Sequence, residues 1–130
     1  MKRDLRLFIE DILENIDDIE SFSKGLTKKG FVEDKLKQNA IIRSLEVIGE
    51  AVKNLPYSFK DNNPEIPWKI IAGFRDILTH AYFGLNLERI WNVVKDDLPE
   101  LKKNIQNINE KFKNESLSIF IRFIFCKKFF

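Results

Sequence analysis

Residues 66–84 read IPWKIIAGFRDILTHAYFG, and the rest of the chain is best understood outward from them. Pro67 suits the first turn of a helix, because its missing N–H is not needed there and its φ is already helical. Apolar residues then recur at helical spacing and predict a face turned toward a core: Trp68, Ile71, Phe74, Ile77 and Leu78. Gly84 predicts the end of this helix.

The same stretch holds the only histidine of the chain, in the pattern Arg75-x4-His80-x-Tyr82. A guanidinium, an imidazole and a phenol together can hold a phosphate and transfer protons. On an ideal helix Arg75 and Tyr82 share a face, whereas His80 lies about 140° from Arg75. Arg75 and His80 can therefore meet one substrate only if the helix breaks near residues 79–82, or if a second copy of the chain supplies a partner.

Two carboxylates are candidate supports for this pattern. Asp76 lies one turn before His80 and about 40° away, so it could hold one imidazole nitrogen and favour the protonated ring. Glu50, on the preceding helix, is a predicted partner for Arg75, because a guanidinium near the bundle interior needs pairing. Spacing alone also fits a second interpretation, in which these are ordinary surface residues.

Composition restricts the class of protein. The 130 residues are enough for one domain with a real core, and the net charge of +2 is too small to imply nucleic-acid binding by itself. The single cysteine, Cys126, excludes an internal disulfide, and with one histidine it cannot form a four-ligand zinc site. We therefore expect a reducing, cytoplasmic setting. No secretory signal is expected at the amino terminus, and no membrane partner.

The first half of the chain predicts two long helices. The first spans about Asp4–Ser23, with an apolar stripe and an acidic opposite face, and residues 28–30 predict a short basic turn. The second spans about Glu33–Leu55, with Leu36 among its inward-facing residues. Gly49 in its middle predicts a close helix crossing.

The second half predicts a loop and further helices. Pro56–Glu65 has the turn residues of a polar loop. After the central stretch, apolar residues at three- and four-residue steps continue as far as Phe112. Pro99 interrupts them, which predicts a kink or a restart capped by Asp96 or Asp97. Four main helical segments, each with one apolar face, predict an all-α bundle.

The last residues, 116–130, differ in composition, which predicts a tail after a helical domain at residues 1–115. They are rich in Phe and Ile, and Arg122 interrupts them, so they are too short to span a bilayer. Three roles remain open: an oligomer contact, a membrane-surface segment, or a sticky, poorly ordered end. A contact or disorder is favoured.

Several blocks of the chain resemble one family in the same order. Residues 75–82 resemble the Arg-x4-His-x-Tyr signature of the HepT-like toxins, a branch of the HEPN superfamily. Residues 43–56 resemble that family's second-helix block around Ile-Gly-Glu-Ala, residues 66–68 its entry to the motif helix, and residues 82–101 the segment that follows. The resemblance covers about residues 1–115, and the chain after Asn114 departs from it.

The resemblance implies an all-α, HEPN-type up-and-down bundle of four to five helices that forms a homodimer, with both motifs facing one cleft. It implies the toxin of a type VII toxin–antitoxin system, a metal-independent endoribonuclease without a cofactor that cleaves mRNA or tRNA. Its antitoxin would be a minimal nucleotidyltransferase that silences the toxin by transferring AMP to Tyr82, and a larger hetero-oligomer of toxin and antitoxin is left open.

This family assignment gives each candidate residue a role. His80 would act as general acid or base while the RNA's own 2′-OH attacks the phosphorus, and Arg75 would hold the phosphate. Asp76 would orient His80, Glu50 would support Arg75, and Tyr82 would contact RNA and accept AMP. The competing interpretation is a non-catalytic nucleotide- or partner-binding subunit of a nucleotidyltransferase complex.

Overall fold

The computed structural model describes residues 4–80 and 84–129, and every regular element in those ranges is helical. The elements are α1 (Leu5–Ser23), α2 (Lys28–Glu33), α3 (Lys35–Asn54), α4 (Tyr57–Asn62), α5 (Trp68–His80), α6 (Leu87–Asn92), a π-helical turn (Val93–Asp97) and α7 (Leu98–Phe129). The all-α class is confirmed. Four of these helices have 13 residues or more. The six-residue helices α2 and α4 were not predicted, whereas α6 begins the helical pattern predicted after Gly84.

Most of the helices have a short polar N-cap residue, whose side chain accepts a hydrogen bond from a free backbone N–H of the first turn. These caps are Asp4 for α1, Thr27 for α2, Asp34 for α3 and Asn86 for α6. The Thr27 cap turns the residues after it into helix, so the basic turn predicted at residues 28–30 is wrong.

The core lies between α1, α3, α5 and α7. One stripe of α1 isoleucines is fully buried and packs mainly on α3: Ile9, Ile12, Ile16 and Ile19. Aromatic rings close the ends, with Phe31 stacked on Trp91 at 5.6 Å between centroids. Helix α3 packs on α5 as well as on α1, so it forms the middle layer that positions α5.

Three local predictions are corrected. Leu36 is 78% exposed at the start of α3, and Ile77 is 53% exposed on α5, so neither faces the core. The segment Pro56–Glu65 is not all loop, because it contains α4. Phe59 of α4 is buried and lies 5.8 Å from the ring of Trp68, and this apolar contact holds the short helix on the bundle.

The new helix start near Pro99, capped by Asp96 or Asp97, that the sequence predicted does not occur. Instead the helix widens into the π-helical turn, whose closing bond runs from the Leu98 N–H to the Val93 carbonyl, five residues back. Pro99 then falls in the first turn of α7, where its missing N–H is tolerated.

Helix α7 continues past residue 115 to Phe129 without interruption, so the tail is helical over its described part. None of the helices among the described residues has a stretch long and apolar enough to cross a bilayer. The large apolar side chains from Leu117 to Ile124 are exposed.

Candidate functional site

The site is positioned by an unusually close crossing of α3 and α5. A Cβ added at Gly49 would lie 2.2 Å from the Cβ of Arg75 and 2.7 Å from its Cγ, which no real pair of side chains allows. The prediction that Gly49 permits a close crossing is confirmed. Only a glycine at this position lets the stem of Arg75 lie directly on the backbone of α3.

Two carboxylates hold the Arg75 guanidinium at this crossing. Its Nη2 lies 3.0 Å from Oε2 of Glu50, and its Nη1 donates to Oδ1 of Asp76 at 3.3 Å. The Arg75 side chain is 27% exposed and that of Glu50 52%, so the pair lies at the edge of the bundle rather than inside it. The structure thus brings Glu50 to Arg75 as the sequence suggested, in a more solvated position.

Lys53 completes the cluster, and the sequence analysis did not find it. Its Nζ donates to Oδ1 of Asp76 at 3.1 Å. The pKa of the Asp76 carboxyl is lower than its usual value. The hydrogen bond from Lys53 is the largest cause, and the hydrogen bond from Arg75 is the next. The signal was present in the spacing, since Lys53 lies one turn after Gly49 and so on the face of α3 that meets α5.

His80 is the last residue of α5 and is exposed. Within residues 4–80 and 84–129, the Asp76 carboxylate binds Arg75 and Lys53, and no hydrogen bond joins it to His80. The orienting role of Asp76 therefore stays a prediction. Tyr82 lies outside the described residues.

The side of α5 away from Arg75 is open and apolar. Ile70 is 71% exposed, Ile77 is 53% exposed, and a Cβ at Gly73 would meet no atom within 4 Å. On the helix, His80 lies about 20° from Gly73 and about 60° from Ile77, so it shares this face. We call Ile70, Gly73, Ile77 and His80 the open face of α5.

A groove of about 730 Å³ runs beside the open face, between α5, the π-helical turn and the first turns of α7. Its lining is mainly apolar and includes Ile71, Phe74 and Leu101. Arg75 does not line it, so this groove and the charged cluster lie on different sides of α5. No group of three His, Cys, Asp or Glu side chains that could hold a metal occurs among the described residues.

Comparison with known proteins identifies the family. The model of the family described as "Ribonuclease HepT-like" matches residues 12–108. A Methanocaldococcus jannaschii protein named as a "putative RNase" is 49% identical over 114 residues, covering 88% of this chain and 94% of that protein. A Thermococcus cleftensis protein named "probable ribonuclease HepT" is 46% identical over 110 residues, covering 85% of this chain and all of that protein. No solved structure matches the chain. The match over most of the bundle, together with the Arg-x4-His pair on α5, shows that the chain belongs to the HepT-like ribonuclease family.

Proposed function

We propose that the chain is an endoribonuclease that cleaves RNA without a metal ion and acts in the cytoplasm as the toxin of a type VII toxin–antitoxin pair. The observation that carries this proposal is the fixed position of Arg75. Glu50 and Asp76 hold its guanidinium at a glycine-enabled crossing, on the same helix as the exposed His80. Of its five N–H donors, at least three remain for a phosphate.

The chemistry needs only the RNA and these side chains. The 2′-oxygen of the RNA attacks the adjacent phosphorus, the bond to the 5′-oxygen of the next nucleotide breaks, and a cyclic phosphate forms. One proton leaves the 2′-OH and one joins the leaving oxygen: His80 makes one of these two transfers as general base or acid, and water makes the other. Arg75 stabilises the negative charge that develops on the phosphate oxygens.

Arg75 and His80 point to different sides of α5, and a homodimer resolves this separation. The open face of α5 exposes Ile70 and Ile77 next to an apolar groove. Exposed apolar surface of this kind beside a packed core is typical of an interface. A second copy that packs over the His80 end of this face would place two Arg75–His80 sets around one phosphodiester, as the family resemblance implies.

Silencing is proposed to occur by AMP transfer to Tyr82 from a minimal nucleotidyltransferase antitoxin. The added phosphate would place a bulky anion two residues after His80. It would exclude RNA by its size and by repulsion between like charges.

Cleavage by point variants tests the catalytic assignment. Arg75→Ala and His80→Ala should each lower the RNA cleavage rate by about a hundredfold or more and abolish growth inhibition. Arg43→Ala is the matched control, because Arg43 is 76% exposed on α3 and its ion pair among the described residues is with Glu46 of the same helix. EDTA should leave the rate unchanged. A purified parent that binds RNA or nucleotide but never cuts would instead support a non-catalytic subunit.

Intact-mass analysis tests the silencing. Incubation with the cognate nucleotidyltransferase and ATP should add adenylyl groups to the parent chain and none to Tyr82→Phe. The chain has only two tyrosines, so Tyr57→Phe is the natural control and should still be modified. An adduct that persists in Tyr82→Phe would contradict the assignment.

A further inference from the structure

The end of α7 carries a second surface that the proposed nuclease does not use. The last core contact of α7 is made by Phe112, whose ring stacks on Phe59 at 6.0 Å. Beyond it the helix continues, and six large apolar side chains there are between 46% and 67% exposed: Leu117, Ile119, Phe120, Ile121, Phe123 and Ile124. The family model ends at residue 108, before this segment begins.

These six side chains occupy one continuous side of the helix. At 100° per residue they span an arc of about 200°, from Ile119 through Phe120 to Ile121. Ser118 and Arg122 fall in the remaining sector. A helix that packs against one partner helix needs an apolar stripe of only about 100°. An arc twice as wide fits a helix that lies half-immersed in an apolar medium.

The charge of the segment indicates that this apolar medium is a membrane with a negatively charged surface. Residues 116–130 contain Arg122, Lys127 and Lys128 and no acidic residue. Two such tails would repel each other, whereas a negatively charged surface would attract them. A basic helix with a broad Phe- and Ile-rich face has the character of an interfacial membrane helix.

We propose that residues 117–124 lie on an anionic membrane surface, parallel to its plane. The apolar arc enters the boundary between headgroups and acyl chains, and Arg122 stays among the lipid phosphates. This binding is peripheral and differs from membrane spanning. It replaces the sequence-based expectation of no membrane partner, and it goes beyond the proposed nuclease without depending on it.

Vesicle flotation with the full chain tests the proposal. The parent should float with phosphatidylcholine vesicles that contain phosphatidylglycerol and should bind much less to phosphatidylcholine alone. Phe120→Gln should weaken binding by about tenfold or more, since it removes a large side chain from the arc. Ser118→Gln is the matched neutral control on the polar sector and should bind like the parent. Arg122→Gln should weaken binding by about fivefold.

Three results would overturn the proposal. The parent could fail to float with anionic vesicles, or Phe120→Gln could bind them as well as Ser118→Gln does. Alternatively, the parent could form an oligomer without lipid that Phe120→Gln dissociates, which would assign the arc to contacts between protein chains. Thermal unfolding and RNA cleavage should be nearly the same in all of these variants, because Ser118, Phe120 and Arg122 are exposed.

Discussion

The two sides of α5 differ in how far contacts within the chain fix the residues on them. On one side Arg75 lies on Gly49 and is bound by Glu50 and Asp76, so its position is set by the α3–α5 crossing. On the other side Ile77 and His80 are exposed beside an apolar groove. One helix thus carries both candidate catalytic residues, one fixed within the chain and the other on a surface that the chain leaves uncovered.

This difference supports the proposed site, which one copy of the chain does not complete. The bundle holds Arg75, the proposed phosphate-binding group, in a defined orientation, which is what electrostatic catalysis requires. It supplies the imidazole on a face whose apolar residues are suited to another protein surface. The predictions below change one side of α5 at a time.

The largest effect is expected from disrupting the open face. The double variant Ile70→Gln/Ile77→Gln should be monomeric in sedimentation experiments and should cleave RNA about a hundredfold more slowly, because the second copy no longer positions its residues. Its circular dichroism spectrum should match that of the parent, because Ile70 and Ile77 are exposed in the single chain. Leu36→Gln is the control, since Leu36 is 78% exposed on a different surface. A monomeric double variant that cleaves at the parental rate would contradict the dimeric site.

The next largest effect is expected on the other side of α5, where Arg75 packs on Gly49. Gly49→Ala should lower the free energy of unfolding by about 1–3 kcal/mol, because the new methyl group overlaps the Arg75 stem and forces the helices apart. Urea unfolding measures this change.

Gly73→Ala is the matched control for that substitution. Gly73 is also in the middle of a helix, but a Cβ there meets nothing within 4 Å. Alanine at this position should therefore stabilise the chain by up to about 1 kcal/mol through helix propensity alone. Equal effects of the two substitutions would show that the crossing is less tight than described.

A smaller effect is expected from removing the charge that holds Arg75. Glu50→Gln should reduce the cleavage rate by about tenfold or less, because the guanidinium loses one of its two anchors, and it should change stability by under about 1 kcal/mol. Glu46→Gln removes a carboxylate from the same helix that pairs with Arg43 instead, and should cleave like the parent. Cleavage by Glu50→Gln at the parental rate would remove Glu50 from the site.

The smallest effect is a change in acid stability. The pKa of Asp76 is lower in the folded chain than its ordinary value of 3.8, so its contribution to stability is complete above that value. The contribution is lost as the pH falls through the lower, folded-state pKa. Asp76→Asn should therefore be less stable than the parent near neutral pH, and the difference should shrink in acid. A difference that is constant across the acid titration of unfolding would exclude this ion cluster as its cause.

The sequence predicted the parts of the site that depend on helical spacing. A glycine within an apolar helix indicated the crossing, and the need to pair a guanidinium indicated Glu50. It did not identify Lys53, although the position of Lys53 one turn after Gly49 marks it as part of the face of α3 that meets α5. The sequence analysis wrongly placed Ile77 in the core. Apolar residues at helical spacing show which side chains share a face, but they do not show whether the chain itself buries that face. The π-helical turn before α7 likewise has no local signature.

Mixing two inactive variants tests the central claim most directly. Arg75→Ala and His80→Ala should each be inactive alone, and subunit exchange between them should restore RNA cleavage to about a quarter of the parental rate, since half of the dimers are mixed and each has one complete Arg75–His80 pair. A mixture that exchanges subunits yet cleaves no faster than the two variants measured separately would contradict a site shared between two copies.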